Sequence, residues 1–233
     1  GVLDEKYSAQ GLEGLLLEKL ENLTLADLIK PCLITAYDSE NRAAHFFTQH
    51  DARKHSGENF FLRDAARATS AAPTFFECAR IESATHVPYS LIDGGIFANN
   101  PALCAFAEVR KIDPQTTTKD IIVLSLGTGE VKTPYRYEQV KNWGDLGWVK
   151  PIIDILMSGT VEVADYQLRK MYEAVNAPEQ YLRIQPDIDP KNSDLGNITT
   201  ENLYELVAIG EKAAEQNDAA LEKFVAMLLA TKG

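Results

Sequence analysis

Short apolar runs alternate along the chain with longer stretches in which apolar residues recur every three or four positions. Residues 11–29 are of the second kind. Leu12, Leu15, Leu16, Leu20 and Leu23 share one helical face and predict an amphipathic helix with a second, short one behind it. Residues 1–10 show no regular period and read as a leading loop. After Pro31, Cys32 to Tyr37 is a compact apolar run that predicts a buried strand. Asp38 to Asn41 supplies its turn, and Ala44 to Thr48 returns as a second strand. The polar residues 49–59 predict a loop. Leu62 to Ala72 has helical character up to the stop at Pro73, and Ala65, Ala66, Ala68, Ala71 and Ala72 imply another backbone packed close against it. A loop then leads to Leu91-Ile92, which end a buried strand and deliver Asp93 onto Gly94 and Gly95.

Pro101 to Ile112 predicts a helix capped by Asn100, with Leu103, Phe106, Ala107 and Val109 as its core face. Ile121 to Leu126 is apolar throughout, as a central strand is, and Gly127-Thr128-Gly129 ends it. A long loop holds Trp143 and Trp148 around Gly144 and Gly147. Pro151 opens a helix that runs to about Val175, with Ser158-Gly159 as a candidate interruption. Tyr181 to Ile184 is a further short strand, and residues 186–197 form a polar loop. Thr200 to Leu229 closes the chain as helix, with a break at Gly210 or Asn217. Strands alternating with helices predict an α/β fold with a mainly parallel sheet, in one domain over residues 1–233.

Composition narrows the partners. Of 233 residues, 45% are hydrophobic and 24% charged, an ordinary globular balance. The formal net charge of −11 and the lack of a Lys/Arg cluster argue against nucleic acid. The same charge opposes electrostatic attachment to anionic lipid but leaves apolar contact with a membrane surface open. No apolar run approaches a membrane span, and no basic-then-apolar leader is present. Cys32, Cys78 and Cys104 are widely spaced, which argues against a disulfide framework and for a reducing, cytoplasmic setting.

Few residues then offer chemistry. His45, His50, His55 and His86 form no metal-binding pair, so no metal is expected. Gly127-Thr128-Gly129 is too short for a phosphate loop and fits a sharp structural turn. No Gly-x-Ser-x-Gly occurs, Ser70 stands among packing alanines, and Ser125 lies inside a strand. Asp93 remains: a carboxylate at a strand's carboxyl end, where open α/β sheets place ligands. Gly94 and Gly95 allow unusual backbone angles and leave room for a ligand or another backbone. Asp before Gly is also plain turn chemistry. Trp148, Val149, Ile152, Ile153, Ile155, Leu156 and Met157 read either as a lid that touches lipid or as a core helix, the preferred reading. Core packing is likewise preferred for Phe75 and Phe76.

Three segments together resemble the patatin-like phospholipases, bacterial members included. They are Arg67-Ala-Thr-Ser-Ala-Ala-Pro-Thr-Phe-Phe76, Asp93-Gly94-Gly95 with Asn99-Asn100-Pro101, and Ser125-Leu-Gly-Thr-Gly129. Leu33 to Asp38 and the loop from Trp143 to Pro151 resemble bacterial members, so a bacterial member is expected, and the likeness runs from about Tyr7 to Tyr172. The resemblance implies a three-layer α/β/α sandwich and cleavage of fatty-acyl esters, phospholipid or neutral, by a serine–aspartate dyad without a cofactor. It makes Asp93 the catalytic base and Gly94 and Gly95 the substrate-facing turn. In that family a glycine-rich oxyanion loop and a Gly-x-Ser-x-Gly elbow come first, and both are missing from this sequence. The expectation is therefore a piece lacking its nucleophile and inactive alone. The alternatives are a non-catalytic lipid-binding or regulatory relative, and an acyltransferase on a related fold. Oligomeric state is not legible.

Overall fold

The computed structural model describes residues 5–230, apart from the side chains of Val149 and Lys150. The chain divides into two compact units, residues 1–112 and 113–233.

In the first unit, α1 (Gln10–Leu20) precedes β1 (Leu33–Asp38) and β2 (Ala43–Thr48). There follow α2 (Gln49–Lys54), α3 (Leu62–Thr69), β3 (Ala79–Glu82), β4 (Pro88–Asp93), α4 (Gly95–Ala98) and α5 (Ala102–Ile112). The strands form one sheet in the order β2-β1-β4-β3. β1 and β2 are the hairpin that the pattern predicts, with Leu33 opposite Thr48 and Asp38 opposite Ala43. Asp38 closes their turn by accepting from the Glu40 and Asn41 N–H groups at 3.0 and 2.9 Å. β3 and β4 form a second hairpin.

The two short connections make β1–β2 and β3–β4 antiparallel, and the long-range pairing of β1 with β4 is antiparallel as well. The expected mainly parallel sheet is therefore not what this unit shows. α3 lies on the sheet with Ala65, Ala68 and Ala71 fully buried, and they join Leu25, Ala36, Phe47, Phe60 and Leu91 in the core. The alanines do bring a helix close to a neighbouring backbone, as their clustering implies.

The second unit contains β5 (Val123–Leu126), α6 (Tyr137–Val140), α7 (Asp145–Ala174), β6 (Tyr181–Ile184), α8 (Thr200–Gln216) and α9 (Asp218–Ala230). Here the pairing is parallel, β5 against β6, with α6 and α7 as the crossover. Tyr172 of α7 is fully buried, donates to the Ile121 carbonyl at 3.0 Å and stacks on Tyr181.

Several expectations change. Residues 49–54 are helix rather than loop, because the Thr48 hydroxyl caps them by accepting from the Asp51 N–H at 3.1 Å. β3 stands in what reads as loop; its Ala79 and Ile81 face inward while Arg80 and Glu82 face out. α7 begins at Asp145, six residues before Pro151, and continues through Ser158-Gly159. Trp143 packs edge-on against Trp148 at 5.0 Å and holds the added first turn. The buried side chains of α7 lie in its far half, at Ala164, Leu168 and Tyr172, beyond the stretch given the core reading. That reading fails for Ile152, Ile153, Ile155 and Leu156, which are exposed. On α5, Phe106 is buried but Ala107 and Val109 are exposed. The final helix breaks at Asn217, whose side chain donates back to the Ala213 carbonyl at 2.8 Å.

Candidate active site

Asp93 ends β4 opposite Ala36 of β1. Three neighbours fix it. Its backbone N–H donates to the Ala71 carbonyl at 3.1 Å, just beyond α3. Its Oδ1 accepts from the Gly95 N–H at 2.7 Å, which turns the carboxylate back over the start of α4. Gly94, one step past the Ala36–Asp93 pair, lies against Thr35. A Cβ on Gly94 would stand 2.3 Å from Thr35 Oγ1 and 2.5 Å from both its carbonyl carbon and oxygen.

This is a requirement for space, not for backbone angle. Gly94 sits at φ −70, ψ −14, which any residue adopts. Among the described residues the positive-φ glycine is Gly129, at φ 116, where the strand β5 turns away. Of the two readings of Gly94, the close approach of another backbone is the one seen. On Gly95, a Cβ would point at Asp93 Oδ1, 3.1 Å away, and at Asn99 Oδ1, 3.6 Å away. Asn100 caps α5, its Oδ1 accepting from the Ala102 N–H at 3.2 Å.

Burial raises the Asp93 pKa above the ordinary carboxylate value, and the Gly95 N–H only partly opposes that. Among the described residues Oδ2 has no hydrogen-bond partner. The arrangement is a half-buried carboxylate with one oxygen held and the other open, suited to taking up a proton.

The histidines lie in other settings. His45 is packed edge-on against Phe47 at 4.4 Å, and His86 faces Glu82 at 3.4 Å. His50 borders a cavity of about 100 Å³ formed with Cys32, Glu108 and Ile112. No group of three His, Cys, Asp or Glu able to hold a metal is found among the described residues. Ser70 is the C-cap of α3, and Ser125 is buried with its Oγ accepting from Arg183 at 2.9 Å. Gly127 and Gly129 are packed under Gln185 and Ile188, which fits the structural turn expected of them.

Sequence reasoning passed over Thr35 and Thr69. The Thr69 hydroxyl donates to the Thr35 carbonyl at 2.8 Å, directly behind the Asp93 turn. The available signal was their place in the two resembling segments, 33–38 and 67–76.

Residues 2–106, Asp93 included, match the family model "Patatin-like phospholipase". The chain is 33% identical to patatin-like protein 3 of Arabidopsis thaliana, over 88% of this chain and 52% of that protein. It is 30% identical to patatin-like protein 2 of Oryza sativa subsp. indica, over 91% of this chain and 58% of the relative. It is 25% identical to the probable inactive patatin-3-Kuras 1 of Solanum tuberosum, over 97% of this chain and 68% of that one. The chain thus spans just over half the length of the first two relatives. Over residues 2–106 the chain is thus similar to the patatin-like phospholipases, and the likeness to the plant patatin-like proteins extends over about nine-tenths of it.

Proposed function

We propose that this chain is part of a lipid acyl hydrolase in which Asp93 is the general base of a serine–aspartate dyad. The carrying observation is the Asp93 carboxylate, held through Oδ1 by Gly95 and open at Oδ2. The serine, supplied by a segment outside these 233 residues, would give its proton to Asp93 as its oxygen bonds to the ester carbonyl carbon. Asp93 would pass that proton to the leaving alcohol as the ester C–O bond breaks. Water would then attack the acyl-enzyme, losing its proton to Asp93, which would return it to the serine oxygen as the acyl–serine bond breaks and the fatty acid leaves. This chemistry needs a nucleophile, a base and backbone dipoles, and no cofactor.

Gly94 and Gly95 would keep the turn narrow enough for a phospholipid or neutral ester to approach. The three-layer sandwich and a single domain over both units remain part of this reading, supported by relatives that match about nine-tenths of the chain. A bacterial affinity rests on residues 33–38 and 143–151, whereas the relatives named above are plant proteins. A cytoplasmic setting rests on three free cysteines. Among the described residues no helix is long and apolar enough to cross a membrane.

The exposed Ile152, Ile153, Ile155 and Leu156 on α7 support transient contact with a lipid surface. Trp148 stands four residues before Ile152, and its emission is expected to shift to shorter wavelength with phosphatidylcholine vesicles. An unchanged spectrum removes the lid reading.

The function itself is tested by fatty-acid release from a long-chain ester by the full-length gene product. Asp93→Asn is expected to lower the rate by about 10²–10⁴-fold with the fold retained. Absence of hydrolysis in the unaltered protein, with vesicle binding retained, supports the second reading. That reading is a non-catalytic lipid-binding relative, favoured by the likeness to a protein named as a probable inactive patatin.

A further inference from the structure

Asp93 depends on a neighbouring strand for its direction, and that strand is held by a side chain with no contact to the carboxylate in the structure. Gly94 is pressed on the Thr35 backbone so closely that a Cβ there would fall 2.5 Å from the Thr35 carbonyl carbon and oxygen. The position of that carbonyl therefore decides where Gly94, and with it the Asp93 turn, can sit. Thr35 is buried, and its carbonyl oxygen accepts from the Thr69 hydroxyl at 2.8 Å. Two residues on, the Ala71 carbonyl takes the Asp93 N–H at 3.1 Å. The last residue of α3 and the segment just beyond it thus hold both strands: β1 through Thr69 and β4 through Ala71.

We propose that Thr69 is a positioning residue for the Asp93 carboxylate, acting through the Thr35 carbonyl and the side-chain-free face of Gly94. The inference rests on the reading of Asp93 as catalytic base. Without the hydroxyl, the Thr35 carbonyl loses its partner in a buried site and the peptide can rotate to find another. Any such rotation moves the surface on which Gly94 rests. Supporting groups of this kind set catalytic geometry without touching substrate, and small displacements of a reacting group are costly.

The test compares Thr69→Val, which keeps the shape and removes the hydroxyl, with Thr69→Ser, which keeps the hydroxyl, in the full-length gene product. Thr69→Val is expected to lower kcat roughly 10²-fold with KM little changed. The Asp93 carboxyl, followed by NMR titration, is expected to fall back toward the ordinary aspartate range as it swings toward water. Thr69→Ser should restore both. If Thr69→Val does not fold, Thr69→Ala is read in its place. An Asp93 titration that stays put on loss of the hydroxyl, or a Thr69→Ser protein as impaired as Thr69→Val, overturns the proposal. The titration needs no turnover, so it separates failure of this brace from failure of the base assignment, which Asp93→Asn reads.

Discussion

At Gly94 a single added carbon would have to enter space that Thr35 already fills, at 2.3 Å from a hydroxyl and 2.5 Å from backbone. A side-chain tip can move aside; a strand backbone cannot do so cheaply. Gly94→Ala is therefore expected to cost about 1–3 kcal/mol in a denaturation measurement, the range for overpacking a filled site. Gly95→Ala is expected to cost less, because its new atom meets the Asp93 and Asn99 side chains at 3.1 and 3.6 Å rather than backbone. Equal stabilities for the two variants would contradict the account of Gly94. The sequence marks both glycines as special but does not say which kind of demand each meets. Positive φ and close approach both select glycine, and the structure shows close approach at Gly94.

Among the elements, β2 carries a built-in pH dependence. His45 is enclosed by Phe47, Phe60 and Tyr89, and its Nε2 is buried without a partner. Burial lowers its pKa, and the charges of Glu58 and Asp38 oppose this without cancelling it. In this range the unfolded chain binds the proton more readily than the fold. Stability therefore falls as pH drops below the ordinary histidine value of about 6.5. Carboxylates held below their usual range, such as Asp38, contribute a separate loss only at lower pH. Denaturation midpoints are expected to fall between about pH 7 and pH 5, and His45→Phe should flatten that slope. An unchanged slope would show that His45 is not its source.

The elements most legible in the sequence are those in which pattern and punctuation coincide. The Pro31-to-Thr48 hairpin and β6 fall where expected, and the alanine-rich α3 starts where expected but ends at Thr69, three residues short of Ala72. α2 was hidden because polar residues read as loop, although Thr48 and Asp51 carry the spacing of a cap. β3 was hidden because two alternations are too few to stand out. The direction of the central pairing lies beyond local pattern: β4 pairs with β1 across more than fifty residues, and that long-range register joins the two hairpins into one antiparallel sheet. For the site, the sequence marked Asp93, but not Thr69, whose role comes from a contact 34 residues away in sequence.

At the scale of the whole molecule, the family model covers residues 2–106, within the first unit, while the similarity to plant relatives extends through both. The candidate base, its turn and its brace all belong to that first unit. The most direct test of the account is the pH dependence of kcat/KM for ester hydrolysis by the full-length gene product, with and without Asp93→Asn. A base must be deprotonated to act, and burial raises the Asp93 pKa. Activity is predicted to fall with acid through a limb centred above the ordinary aspartate value of about 3.9. In Asp93→Asn that limb should vanish along with most of the rate. An Asp93→Asn protein that keeps both the rate and the limb would contradict the assignment of Asp93 as the base.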